Sequence, residues 1–190
     1  FWEDPEKVAS YISMAEGYDG RALVSRLLRH LAPGSTVLEL GMGPGVDLAI
    51  LAEHYLPTGS DRSSVFVQRH REAHPEADVL RLDAVTLETD RVFEGLFSNK
   101  VLQHLTREEM RQSLARQVSL LEPGGIAMHA LWYGDGATEE HGLLFTRYTA
   151  SSLKALLPAQ LEVVETSVYE EMEPADSMVA ILRRRSGRRA

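Results

Sequence analysis

The sequence predicts an α/β domain: an open parallel sheet covered by helices on both faces. Three observations carry that reading. From Thr36 onward, apolar strand-like runs alternate with helical periodicity, the pattern of an open parallel sheet. At Val37-Leu38-Glu39-Leu40-Gly41-Met42-Gly43-Pro44-Gly45 a strand runs through an acid into three glycines at alternate positions, and a helical pattern follows. A chain of 190 residues, 44% of them hydrophobic, can bury a substantial core as one domain, and no Gly-, Pro- or Ser-rich linker divides it.

The elements follow in order. Asp4-Pro5 supplies an N-cap and a proline at the first helical position, and Val8, Tyr11, Ile12 and Ala15 recur at helical spacing up to Gly17. A second helix starts near Asp19, carries Leu23, Leu27, Leu28 and Leu31 on one face, and stops at Pro33-Gly34. Strand Thr36–Leu40 leads through the glycines to helix Val46–His54. Strand Leu56–Ser60, helix Ser63–His74, strand Val79–Leu82 and strand Gly95–Ser98 come next. Thr106-Arg107-Glu108-Glu109 is a capping box, which predicts a helix to about Leu121. Pro123-Gly124-Gly125 should end it ahead of the buried strand Ile126–Trp132. The acidic, Gly-containing stretch Tyr133–Gly142 is expected as a long loop, then helix Thr149–Leu157 and strands Leu161–Tyr169 and Met178–Arg183. The resulting division is two N-terminal helices over 1–34, a core over 35–183, and a basic, disordered tail over 184–190.

Composition removes several function classes. There is no cysteine, hence no disulfide and no thiolate chemistry. The histidines lack metal-ligand spacing with each other or with acids, so no metal is expected. The net charge is −8, but five arginines fall within the last eight residues, and residues 1–182 carry −13. An acidic body argues against a wide nucleic-acid surface and for a small-molecule substrate. No apolar run approaches the roughly 18 residues of a membrane span, and no secretory pattern opens the chain, so a cytoplasmic location is expected. Phe1 in place of an initiator Met suggests a trimmed or truncated N-terminus. A monomer or a homodimer fits equally.

The spacing of the glycine turn selects its ligand. A dinucleotide fingerprint needs its third glycine three residues after the second. Here Gly45 comes two after Gly43, and Val46 fills the dinucleotide position. With Glu39 two residues ahead of Gly41, the string resembles motif I of the class I S-adenosylmethionine-dependent methyltransferases. The seven strands, the last two joined by a short acidic loop, also resemble the Rossmann-like sheet of that family, whose seventh strand inserts antiparallel between the fifth and sixth. The resemblance runs from Thr36 to about Leu182. It implies S-adenosylmethionine as cofactor, S-adenosylhomocysteine as product, and N-terminal helices lying over the site.

Residues at the strand ends then take expected roles. Gly41, Gly43 and Gly45 would let the backbone approach the methionine part of the cofactor, and Glu39 would hold its ammonium. Asp61, after strand two, matches the ribose-binding acid, since a carboxylate can accept both hydroxyls. Arg62 either lays its stem along the adenine or is a solvated surface arginine. Asp83-Ala84 resembles the adenine-contacting pair, although Asp83 could instead cap its own turn. Ser98 and Asn99 would lie beside the methionine end, with Gln103 and His104 nearer the acceptor. Glu94 stands where the family usually has an aspartate.

His104 is the candidate base for a protonated acceptor, with a packing role as its rival. His129, on a buried strand, could also face the acceptor pocket; His30, His54, His70 and His74 read as helix-surface residues. Tyr11 and Tyr18 on the N-terminal segment, and Trp132, Tyr133 and Arg147 after strand five, are candidates for the acceptor site, Arg147 as a clamp for an anion. Each could equally close the core. The reaction implied is in-line methyl transfer. A protein that binds the cofactor without catalysis is one alternative. A nicotinamide-dependent oxidoreductase is another, disfavoured by Val46 and by the lack of a Tyr-x-x-x-Lys pair.

Overall fold

The computed structural model describes residues 2–14 and 17–187. Ala15 of the first helix and Arg188 and Arg189 of the tail lie outside them. The elements are α1 (Pro5–Met14), α2 (Arg21–Leu27), β1 (Thr36–Leu40), α3 (Val46–Ala52), β2 (Leu56–Asp61), α4 (Ser64–Ala73), β3 (Val79–Arg81), β4 (Phe93–Asn99), a 3-10 turn (Leu102–His104), α5 (Arg107–Leu120), β5 (Leu121–Trp132), β6 (Ala137–Glu140), β7 (Leu143–Thr146), α6 (Ala150–Lys154), β8 (Leu161–Tyr169) and β9 (Ser177–Arg184). The main sheet has seven strands in the order β3-β2-β1-β4-β5-β9-β8. β1 to β5 pair in parallel, and β9 runs antiparallel to both β5 and β8. The last strand is thus inserted antiparallel, as the sequence resemblance implies.

Alternation along each strand divides the core into two layers. Leu38, Leu40, Leu96, Ala127, Leu131 and Leu182 face Met110 and Leu114 of α5 and Leu153 of α6. Val37, Phe97, Met128, Ala130 and Val179 face Leu23, Val24 and Leu27 of α2 and Ile50 and Leu51 of α3. Successive residues feed opposite layers because the side-chain period of a strand is two.

Local signals act as expected at several ends. Asp4 Oδ1 accepts from the Glu6 amide, Ser63 caps α4, and the Thr106–Glu109 capping box is formed. Other boundaries differ. β5 begins at Leu121, five residues early: Leu121 pairs with Phe93, the register shifts at Pro123-Gly124-Gly125, and Ile126 resumes opposite Gly95. The glycines therefore make a bulge inside the strand rather than a stop before it. The expected loop at Tyr133–Gly142 contains β6, which pairs antiparallel with β7. Glu94 has a structural task, its carboxylate accepting from the Thr36 amide at 2.9 Å and holding the entry to β1.

α1 lies over the C-terminal edge of the sheet, but α2 belongs to the helical layer beneath it. β9 runs to Arg184, which donates to the Leu121 carbonyl, and Arg183 and Arg185 both approach Glu162.

Candidate active site

β1 delivers the chain to a sharp turn at the carboxyl end of the sheet. Gly41 has φ +70°, and a Cβ there would lie 2.5 Å from the Val101 side chain. Gly45, the N-cap of α3 at φ +87°, would place a Cβ 2.6 Å from the His70 ring. Neither conformation nor space admits a side chain. His70 consequently packs on the turn instead of lying free on the surface of α4. Asp61 braces the same turn from β2: its Oδ2 accepts from the Gly43 amide at 3.0 Å and its Oδ1 from the Ser63 amide at 2.8 Å.

Acids converge behind the turn. Glu39 is 2% exposed, and its Oε2 has no partner. Burial, with Asp47 and Asp61 nearby, holds its carboxyl well above the usual carboxylate range. Asp47, in the first turn of α3, is also buried; its Oδ2 accepts from Asn99 Nδ2 at 2.9 Å while its Oδ1 is unpartnered. Asn99 Nδ2 donates in addition to the Tyr18 hydroxyl at 2.5 Å, leaving Asn99 Oδ1 without a donor. Burial raises Asp47 and Asp61 as well. Gly20 makes room for Asp47: a Cβ on it would fall 1.7 Å from Asp47 Oδ1. Three buried acceptor oxygens, on Glu39, Asp47 and Asn99, therefore have no donor among the described residues.

A cleft runs along the strand ends with Asn99 in its lining, while Glu39 and Asp47 lie behind its wall. Gly41, Gly43, Asp61, Arg62, Asp83, Ala84, Asn99 and His104 line it, so most of the expected cofactor residues share one cavity. Trp2, Tyr11 and Phe66 form its aromatic cover, with the Trp2 and Tyr11 rings edge-to-face at 5.1 Å. Glu3 anchors that cover, its carboxylate accepting from the Ser64 amide at 3.1 Å and from Arg81 at 3.3 Å. Arg62 is exposed at the rim. Asp83 does cap its own turn, with Oδ1 accepting from the Val85 amide at 2.8 Å, and it lines the cleft too.

His104 sits in the 3-10 turn after β4. Its Nδ1 is 2.8 Å from the Leu144 carbonyl. A carbonyl can only accept, so Nδ1 carries the proton and Nε2 the lone pair. Burial pushes its pKa down, against the pull of that hydrogen bond. The β6–β7 hairpin supplies both Leu144 and Phe145, whose ring meets the imidazole edge-on at 4.9 Å.

Several expected positions fall elsewhere. The Ser98 side chain points to the opposite layer, away from the methionine end, because Ser98 and Asn99 are consecutive in a strand. It is fully buried against His129 Nδ1 at 2.8 Å. His129, 1% exposed, likewise faces the interior and not an acceptor pocket. Trp132 is separated from the cleft by Lys100, whose Nζ lies 3.5 Å from the indole centroid and 2.8 Å from Glu171. Tyr133 packs on the core layer of α5, and Arg147 lies against Gly134 at the base of the hairpin. Neither is brought into the cleft wall. Asp47, Lys100, Trp2 and Phe66 escape sequence reasoning, although an acid in the first turn behind a glycine N-cap is a readable signal for Asp47. Among the described residues no His, Asp and Glu group of three or more could hold a metal, and no helix is long and apolar enough to cross a membrane.

Comparison with known proteins agrees with this geometry. Residues 37–125 match the methyltransferase-domain family profile. An uncharacterised 37.1 kDa protein of a Streptomyces fradiae transposon is 29% identical over 131 residues, or 64% of this chain, which spans 37% of the length of that curated relative. Among solved structures, the 1,6-didemethyltoxoflavin-N1-methyltransferase of Burkholderia thailandensis, bound to 1,6-didemethyltoxoflavin and S-adenosylhomocysteine, superposes with a TM-score of 0.77 at 21% identity, over 95% of this chain and 86% of its own. A S-adenosylmethionine-dependent methyltransferase of Clostridium acetobutylicum gives 0.74 at 9% identity, over 96% and 100%. The inserted antiparallel strand with the glycine turn at the sheet's centre is the fold of the class I S-adenosylmethionine-dependent methyltransferases, and residues 37–125 carry the methyltransferase-domain profile.

Proposed function

We propose that the cleft binds S-adenosylmethionine with its amino-acid end at Glu39, Asp47 and Asn99, its ribose at Asp61 and its adenine at Asp83-Ala84, and that the chain methylates a small-molecule acceptor. One observation carries the reading. Glu39 Oε2, Asp47 Oδ1 and Asn99 Oδ1 are buried acceptors without donors. Leaving such groups unpaired costs about 1–3 kcal/mol each, more for charged ones. An ammonium brings three donors and a positive charge, which answers both needs.

When bound, the cofactor supplies an electrophilic methyl group on a sulfonium. What remains for the chain is alignment and exclusion of water. Asp61 holds the glycine turn through the Gly43 amide, and the Trp2, Tyr11 and Phe66 rings close the mouth. His104 is suited to take a proton from a hydroxyl or ammonium acceptor, because its tautomer leaves Nε2 free and burial keeps the ring neutral at pH 7. Its placement under the hairpin makes β6–β7 the acceptor-side wall.

The test is calorimetric titration of the chain with S-adenosylmethionine, S-adenosylhomocysteine, NAD and NADPH in parallel. Binding of the first two alone is expected; binding of a nicotinamide instead would overturn the assignment. Release of S-adenosylhomocysteine in the presence of an acceptor library then separates an enzyme from a protein that only holds the cofactor.

A further inference from the structure

Beneath the cleft, in the α5 layer, runs a chain of four buried polar side chains that the proposed reaction does not use. Ser98 Oγ is 2.8 Å from His129 Nδ1, and His129 Nε2 is 2.9 Å from Gln117 Oε1. Gln117 Nε2 is 3.2 Å from Ser113 Oγ, and Ser113 Oγ is 2.6 Å from the Ala84 carbonyl. All four residues are at most 1% exposed.

The proton positions follow from one end. The Ala84 carbonyl can only accept, so the single Ser113 proton goes to it. Ser113 Oγ must then accept from the Gln117 amide nitrogen, which turns the Gln117 carbonyl toward His129. That carbonyl requires a donor, so His129 carries its proton on Nε2 and accepts at Nδ1 from Ser98. Every bond points the same way, from Ser98 to Ala84. None of these side-chain atoms is among the orphaned ones.

Both ends of the chain abut the cleft. Ser98 precedes Asn99, which holds Asp47 and Tyr18 at the amino-acid end. Ala84 belongs to the turn that lines the other end. Between β3 and β4 this turn has no strand or helix of its own; α5 holds it, through Ser113 inside and through Arg116 on the surface, which donates to the Leu87 and Thr89 carbonyls. Four apolar side chains would fill the same space equally well. They would not fix the turn's register against β4, which a fully satisfied directional network does.

We infer that Ser98, His129, Gln117 and Ser113 form a positioning relay that sets the Asp83-Ala84 turn against the end of β4 and thereby sets selectivity for the adenine base. The inference rests on the proposed cofactor reading. None of the four touches the cofactor; they act through the Ala84 carbonyl.

The test compares binding of S-adenosylhomocysteine with that of S-inosylhomocysteine, in which the exocyclic amine is a carbonyl. The full chain, Ser113→Ala and Gln117→Met are titrated by calorimetry, with thermal melts to verify folding. Ser113→Ala removes a single hydroxyl on a helix and keeps the fold. The wild-type preference for the adenosyl ligand is expected to shrink roughly fivefold to tenfold in Ser113→Ala, about the worth of one buried hydrogen bond. The same direction is expected in Gln117→Met, which breaks the relay without touching the turn. Lower melting temperatures with an unchanged ligand preference would overturn the inference and leave the four residues as core packing. Failure of the wild-type chain to bind either ligand would instead strike the cofactor reading, and the relay's role with it.

Discussion

His129 makes the stability of this protein depend on pH in a calculable way. The ring is fully buried, both its nitrogens are committed, and burial pushes its pKa from 6.5 to about 4. An imidazolium would need Nδ1 to donate, and Ser98 would have to reverse its hydroxyl. In the unfolded chain the same ring titrates at its ordinary value. Between the two values the unfolded state binds the proton and the folded state does not, so stability is full above about pH 6.5 and is lost as pH falls toward the folded value. The loss is about 1.4 kcal/mol per pH unit in that window, or about 2 kcal/mol between about pH 7.5 and about pH 5. The raised carboxylates of Glu39, Asp47 and Asp61 act with the opposite sign, gaining relative stability as pH falls. The effect of His129 must therefore be read as a difference. His129→Gln keeps a donor toward Gln117 and does not titrate. Urea unfolding of wild type and His129→Gln across this range should give a stability gap that narrows by about 2 kcal/mol on acidification. Two parallel pH profiles, with the gap constant to within about 0.5 kcal/mol, would refute the assignment of a neutral, fully committed His129.

Other expectations concern the cleft directly. Gly20→Ala would push a methyl into Asp47 Oδ1, 1.7 Å from the ideal Cβ position, so S-adenosylmethionine affinity should fall about tenfold or more, with a stability loss of about 1–3 kcal/mol in urea melts. Asp61→Asn retains one acceptor for the turn but loses the carboxylate, and should weaken S-adenosylmethionine by about tenfold in calorimetry. Once an acceptor is known, His104→Gln should lower single-turnover rates by about 10²–10⁴-fold with cofactor affinity unchanged; an unchanged rate would make the residue a packing element. Because burial holds Glu39 and Asp47 above their ordinary range, a bound ammonium should draw protons off them. Affinity should therefore rise with pH through the raised range of these carboxyls, with proton release measured in buffers of different ionisation enthalpy.

How much was legible in the sequence depended on whether the signal was local. The strand-glycine-helix turn, the Thr106–Glu109 box and the alternating runs are written in neighbouring residues, and the structure follows them. The β6–β7 hairpin is not. Ala137–Glu140 is fully exposed, so no apolar alternation marks it, and its turn uses His141 and Gly142, both at positive φ, where Asn-Gly would have been the clearer sign. The bulge at Pro123-Gly124-Gly125 misleads for a related reason, since the residues that end helices also kink strands. At the site, residues at strand ends could be read off because the fold brings all such ends together. Which face each side chain takes needs the register: Asn99 points to the cleft and Ser98 to the relay, one residue apart. Trp2, Phe66 and Lys100 reach the cleft from elements that no periodicity links to it.

The same register explains why this sheet carries its cost where it does. Glu39 occupies a position of β1 whose face is otherwise apolar, and Val37, two residues earlier, lies in the α2–α3 layer. A leucine at that position would pack, and it would remove an unpaired buried acid. Asp47 and Asn99 repeat the pattern, each with a buried oxygen that no described residue satisfies. A protein selected for stability alone has no use for three such groups at one point. They make sense as half of an ion pair whose other half arrives with a ligand. Bound ligand at about 100 times its Kd should then return about 2.7 kcal/mol of stability by mass action. Under the proposed cofactor reading, the acids that weaken the empty fold are the ones that make the occupied one firm.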